Sequence, residues 1–114
     1  MLASKHRLKK KFSFARVELQ GVTTQFPSFG IGVIDRQDDE PSLFGFVIST
    51  KISKKAVTRN KIKRILSDAV RLNYEKIKKG HDVVFLVKPS AISKDSKVLS
   101  SEVVMALQKI NLFK

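Results

Sequence analysis

Between Ser53 and Gly80 the chain runs for 26 residues without a proline or a glycine, and that uninterrupted segment constrains the fold more than anything else in it. Ser53 offers a capping hydroxyl, so the pattern predicts one helix from about Lys54 to Tyr74. At 3.6 residues per turn, Ile62, Ile65, Leu66, Ala69 and Val70 form an apolar stripe. Asn60, Lys63, Arg64, Ser67 and Arg71 share a different face, with Arg59 between the two. One side of this helix has to be buried against another layer, and the adjoining side is left to meet something else.

What that side meets follows from charge. Lys51, Lys54, Lys55, Arg59, Lys61, Lys63, Arg64 and Arg71 stand against Asp68 alone, so eight positives less one negative leave +7 between Lys51 and Arg71, more than half of the chain's +13. A solvated amphipathic helix usually intersperses both signs. Unbalanced cations repel one another unless a polyanion gathers them. Nucleic acid and an anionic membrane are the two natural partners of that kind. A membrane-surface helix would carry Trp, Phe or Leu on its buried face and have no competing core. This stripe offers Ile, Leu, Ala and Val between flanking strands, so nucleic acid is expected and a membrane is not.

The chain has 114 residues, enough for one domain spanning 1–114 with a modest core. Hydrophobic residues at 42%, with five Gly and three Pro, describe a folded protein. The absence of cysteine excludes disulfides and thiolate metal sites, which fits a reducing compartment, and a cytoplasmic location is expected. No apolar run approaches the length of a membrane span, and the basic opening MLASKHRLKKKF is not followed by the apolar stretch of a secretory leader.

Residues 1–10 read as a basic arm; Lys5, Arg7, Lys9, Lys10 and Lys11, without a nearby acid, would by themselves form an unattached strap contacting phosphates without sequence preference. Phe14 and Val17, with Ala15 and Leu19, then recur at helical spacing up to Gln20, and Gly21 reads as a helix stop. Val22–Phe26 is a short strand ended by Pro27. Phe29–Arg36 alternates, with Gly30 and Gly32 on one face permitting close approach by a helix or a ligand. The turn at 35–41 gathers four of the ten acids and should face away from a polyanion. Leu43–Thr50 is a strand that most simply pairs with Phe29–Arg36 as a hairpin. Asp82–Lys88 is the most β-prone run, and a polar linker leads to a last helix capped by Ser96 or Ser100 and reaching Leu112. Its stripe is Leu99, Val103, Val104, Leu107 and Ile110. The fold class is α+β, a two-layer sandwich in the order αβββαβα around a four-stranded sheet.

The segment AVTRNKIKR followed by IL, downstream of a strand ending in VISTK, resembles the RNR signature of the bacterial ribonuclease P protein component. Ala56, Val57, Arg59, Asn60, Lys63 and Arg64 stand at its spacing. Arg7, Leu8, Lys9, Lys10, Phe14, Val17 and Gly21 are similar to that family's opening pattern. The resemblance runs from Arg7 to the last helix, with its specific motifs in 7–21 and 45–71. It implies a left-handed βαβ crossover between parallel strands. It also implies a ribonucleoprotein in which a catalytic ribonuclease P RNA cuts precursor tRNA at the 5′ end, with Mg²⁺ in the holoenzyme bound mainly through the RNA. Arg59, Asn60 and Lys63 would border a cleft for the 5′ leader, with Phe14 and the Gly30/Gly32 face opposite. Lys51, Lys54 and Lys55 would help grip the catalytic RNA. Three departures stand out: Glu18 replaces a frequent aromatic, Ser67 replaces a frequent Arg, and the Ser53–Lys55 loop is longer by one residue.

No catalytic constellation accompanies these features. There is no Cys nucleophile or GxSxG elbow, and His6 and His81 sit in an arm and at a strand start. Asp38, Asp39 and Glu40 lie in the loop a nucleic acid should avoid, so no metal site and no catalytic residue is expected in the protein. Arg59, Lys63, Arg64 and Arg71 suit phosphate oxygens, with Lys61 on the same helix. Asn60 either bonds a ribose or base edge or locks a turn, and Phe14 either lines a cleft or fills the core. A structural, ribosome-associated RNA-binding protein is the alternative function. A DNA-binding helix is disfavoured because the segment is sandwiched on a sheet.

Overall fold

The computed structural model describes residues 2–114, with Phe12 described by its backbone alone. The elements are α1 (Lys11–Gln20), β1 (Val22–Gln25), β2 (Phe29–Asp35), β3 (Leu43–Val47), α2 (Ala56–Asn73), β4 (His81–Val87) and α3 (Ser96–Lys109), with 3-10 turns at Ser4–His6, Tyr74–Lys76 and Pro89–Ser93. The expected α+β order is present. Boundaries shift where local hydrogen bonds compete. The Ser53 hydroxyl accepts from the Lys55 backbone N–H at 3.2 Å in a short turn, so it does not cap the helix, and α2 begins two residues later than expected, at Ala56. The last helix is capped by Asp95, whose carboxylate accepts from Val98 N at 2.9 Å, not by Ser96 or Ser100. The 3-10 turn Pro89–Ser93 occupies the first half of the linker expected over Ser90–Lys97.

The strand pairing corrects one expectation. The sheet order is β1-β2-β4-β3, so β2 and β3 are not hairpin partners; β4 lies between them, antiparallel to β2 and parallel to β3. The reason lies in burial. Val83, Val84, Phe85 and Val87 of β4 are buried on both faces of the sheet, as suits a central strand. β3 keeps Leu43 and Val47 half-exposed and takes the edge. The parallel β3/β4 pair needs a long connection, and α2 supplies it. Met-free strand β1 pairs with β2 through the turn at Phe26–Ser28, with Gln25 opposite Gly30.

Alternation divides the side chains between two faces. One face carries Phe29, Ile31, Phe44, Val83 and Phe85, packed against Ile62, Leu66, Ala69 and Val70 of α2 and Leu99, Val103, Ala106 and Leu107 of α3. This is the main core, and it matches the expected stripes, with Ile65, Val104 and Ile110 only partly buried. The opposite face carries Ile34 and Val84, with Leu43, Val47 and Leu86 partly buried, and receives Leu8 together with Phe14 and Val17 of α1. Ala15 and Leu19, read from spacing as part of the α1 stripe, are exposed, because a single helix resting on a sheet needs only a narrow contact line.

Candidate nucleic-acid interface

The N-terminal half of α2 is an open cationic end. Its capping residue Lys55 makes no side-chain cap, and the first turn contains no acid, so the leading backbone N–H groups face outward with the positive end of the helix dipole. Lys51, Lys54, Lys55, Asn60, Lys61 and Arg64 are exposed around this end, and Arg59 and Lys63 are half-buried. Arg59 donates one guanidinium N–H to Ser53 O at 2.7 Å, which holds the loop leaving β3 and aims the rest of the fork. The Asn60 side-chain amide makes no hydrogen bond among the described residues; it locks no turn. Ser67 is buried and donates to Arg64 O at 3.2 Å, so its position on the basic face is closed to a ligand. Arg71 approaches Asp68 at 3.7 Å and is partly neutralised.

Glycines let α1 lie directly on the second face of the sheet. A Cβ at Gly45 would fall 2.3 Å from Phe14 Cε1, and one at Gly32 would fall 3.0 Å from Val17 Cγ1. Helix α1 therefore crosses the strands over the row Gly32–Val84–Gly45, with Phe14 above β3 and Val17 above β2. Gly21 ends α1 with φ −78°, an extended conformation that any residue adopts. Its need for glycine comes from Val17 O and Val33 O, which would lie 2.5 and 2.9 Å from a Cβ.

In front of α1 lies the next row, Gln25–Gly30–Leu86–Val47, brought into line by the strand register. Leu86 and Val47 are half-exposed, so this row is an open strip of the sheet face beside α1, next to Phe14, and is the candidate cleft floor. Of the residues expected there, Phe14 is half-buried with its ring against the sheet. Gly30 lies in the floor row beneath the Gln25 amide, and Gly32 is hidden under Val17. Gly45 and Gln25 were not anticipated. Gly45 carries the same signal as Gly30 and Gly32, a small residue alternating with large apolar ones in LFGFV; nothing in sequence marks Gln25. Glu18 is exposed one turn beyond Phe14.

Topology sets the cationic start of α2 at the same end of the sheet as this row, on the opposite face. The chain leaves β3 at Val47, the last member of the row, and re-enters as α2 at Ala56, so Arg59, Asn60 and Lys63 stand at the same end of the sheet. The acidic loop joins β2 to β3 at the other end. There Arg36 holds it together: Nε bonds Asp38 at 3.0 Å, the fork pairs with Asp82, and further N–H groups donate to Glu40 O and Pro41 O at 3.2 and 2.9 Å. Burial works against the Arg36 charge, but the bonds to Asp38 and Asp82 outweigh it and hold its pKa above the usual value. The Arg36 bond likewise holds Asp38 below the usual carboxylate range. Among the described residues no three of His, Cys, Asp and Glu gather to hold a metal.

The basic arm is anchored, contrary to the unattached strap expected. Leu2 is buried, Leu8 N donates to Phe44 O at 2.9 Å, and the His6 ring stacks on Tyr74 with centroids 3.8 Å apart. Burial, with Lys5 beside it, holds the His6 imidazole below its ordinary pKa. Lys5, Arg7, Lys9, Lys10 and Lys11 remain exposed, leading into the start of α1.

Residues 2–111 match the family model described as Ribonuclease P. The chain is 37% identical over 68 residues to the ribonuclease P protein component of Alkaliphilus oremlandii (strain OhILAs), a match covering 60% of this chain and 59% of that relative. It is 29% identical over 111 residues to the ribonuclease P protein component of Alkaliphilus metalliredigens (strain QYMF), covering 97% of this chain and 98% of that one. The solved RNase P protein of Staphylococcus aureus shares the fold, with a TM-score of 0.88 over 96% of this chain and 98% of that one at 21% identity. No helix among the described residues is long and apolar enough to cross a membrane.

Proposed function

The chain belongs to the ribonuclease P protein family, and on that premise we propose that it is the protein subunit of a ribonucleoprotein endoribonuclease that matures the 5′ end of tRNA. In this reading it binds the catalytic ribonuclease P RNA and the single-stranded 5′ leader of precursor tRNA, and the RNA performs the cut. The observation that carries the proposal is that the uncapped, acid-free start of α2 lies at the same end of the sheet as the half-exposed row in front of Phe14, α2 on one face and the row on the other. A single strand laid along that floor would have aromatic and aliphatic surface for its bases and cations for its phosphates.

The residues divide by reach. Lys61 and Arg64, exposed and without an ion-pair partner among the described residues, bind phosphate. Arg59 and Lys63 sit lower and border the leader, with Asn60 offering its free amide to a ribose or base. Lys51, Lys54 and Lys55 with the arm cations Lys5, Arg7, Lys9, Lys10 and Lys11 widen the footprint toward the catalytic RNA. Arg71 contributes least, being shared with Asp68. Mg²⁺ would supply the hydrolytic chemistry from the RNA. The described carboxylates do not fit it as a protein-held ion, since Asp38 and Asp82 are already engaged by Arg36.

Reconstitution tests the proposal: purified protein with ribonuclease P RNA of the same organism, assayed on precursor tRNA at low Mg²⁺. Accurate 5′ cleavage that the RNA alone performs poorly is expected. Tight RNA binding that never stimulates cleavage would point instead to a structural RNA-binding protein, and equal competition by duplex DNA would remove the single-strand cleft.

A further inference from the structure

We propose that Gln25 reads the identity of one leader base at the β1 end of the cleft; this rests on the leader-binding reading above. Gln25 is the last residue of β1 and stands opposite Gly30 in the register. Its side chain folds over Gly30, with Oε1 3.0 Å and Nε2 3.3 Å from where a Cβ at Gly30 would be. The missing Cβ thus gives the amide a flat seat on the cleft floor. The residue is exposed, and its amide makes no hydrogen bond among the described residues, so a donor and an acceptor lie side by side, free, in the plane of the floor.

That pairing suits a base edge. A carboxamide can donate and accept at once to adjacent groups of a base, which is how Gln and Asn discriminate bases elsewhere, and unstacked single-stranded bases expose those edges. Leu86 and Val47, its neighbours in the row, have no polar side-chain atom and give contact area without discrimination. Phe14 sits above β3, three strand spacings from β1, or about 14 Å. One base cannot touch both, so Gln25 and Phe14 act on different leader nucleotides.

The test uses the reconstituted holoenzyme with precursor tRNAs carrying each of the four bases at each leader position, cleaved in competition. The wild type should favour one base at one position by about fivefold or more. Gln25→Leu, which keeps the size and loses the amide, should flatten that position to within about twofold and leave the others alone. Gln25→Glu, which keeps acceptors and loses the donor, should reorder the preference there. The site is exposed, so thermal unfolding should not move, and a Phe14→Ala holoenzyme should retain the Gln25-dependent preference. A position-by-position profile unchanged in Gln25→Leu would overturn the inference while leaving the cleft intact. A wild-type holoenzyme that treats leader and leaderless substrates alike would overturn the cleft reading itself.

Discussion

Gly45→Ala should cripple the cleft without unfolding the protein. The added Cβ would lie 2.3 Å from Phe14 Cε1 and 2.5 Å from Cζ, so the ring must retreat by about 1.3 Å to reach an ordinary carbon–carbon contact of about 3.6 Å. Overpacking in a closed core costs roughly 1–3 kcal/mol. Here the ring is half-buried and can swing toward solvent, which favours the lower end, about 1 kcal/mol. Replacing a strand glycine by alanine returns about 0.5–1 kcal/mol, and net stability should change by less than about 1 kcal/mol. Leader recognition should fall nearly as far as in Phe14→Ala, about 1–3 kcal/mol if a base stacks there. Urea titration gives the stability term, and the ratio of affinities for precursor and mature tRNA gives the functional one. A double-mutant cycle isolates the contact: in the Phe14→Ala background, Gly45→Ala should become stabilising by about 0.5–1 kcal/mol. If Gly45→Ala costs the same with and without Phe14, the ring does not rest on that glycine and the wall of the cleft is wrongly drawn.

Arg64→Ala should weaken RNA binding and lower the salt slope by about 0.7 on a single strand or 0.9 on a duplex; an unchanged slope removes Arg64 from the footprint. Arg36→Met should destabilise by roughly 3–5 kcal/mol, because Asp82, only 6% exposed, loses the partner of a buried ion pair; chemical denaturation measures this, and a loss under about 1 kcal/mol would refute the Arg36-centred loop. His6 gives a pH signature. Its folded pKa is depressed, so the folded chain binds fewer protons than the unfolded one, and the arm's docking is complete above about 6.5 and weakens as pH falls below it. Tyr74 is the chain's one tyrosine and there is no tryptophan, so its fluorescence reads the stack directly; the change between pH 7.5 and 5.5 should vanish in His6→Ala, and its persistence would assign it to another group.

Local signals were legible and long-range ones were not. The span of α1 and the buried stripe of α2 follow from spacing, since Ile62, Leu66, Ala69 and Val70 recur with the helical period and nothing nearby competes. Gly21 was placed correctly for another reason: it ends α1 in an extended conformation, and its lack of a Cβ serves the close approach of Val17 O and Val33 O. Ser53 looked like a cap, yet its hydroxyl closes a turn onto Lys55, a competition between two local bonds that composition cannot rank. The order of the strands is harder still. Adjacent strands joined by seven residues favour a hairpin on loop closure alone, and the insertion of β4, buried on both faces, between them displaces it. Because Gly45 reaches the cleft through that displaced order, its partner Phe14 could be suspected from sequence but their contact could not.

The same topology keeps the acids out of the binding field. Loop 35–41 enters β3 at Leu43, and α2 begins beyond the loop that follows Val47, so the five residues of β3 alone separate them by about 17 Å. That exceeds the Debye length of about 8 Å at physiological salt, so the carboxylates of the loop barely temper the cations at the start of α2. Arg36 strengthens the division, since it turns a cation inward to hold the acids where they are. On α2 itself the single acid, Asp68, sits in the later turns beside Arg71, which leaves the first two turns unopposed. The unopposed cations at the start of α2 therefore lie at the end of the sheet where Gln25, Leu86 and Val47 stand. On the proposed reading, a strand drawn to those cations would be delivered to the surface that holds its bases.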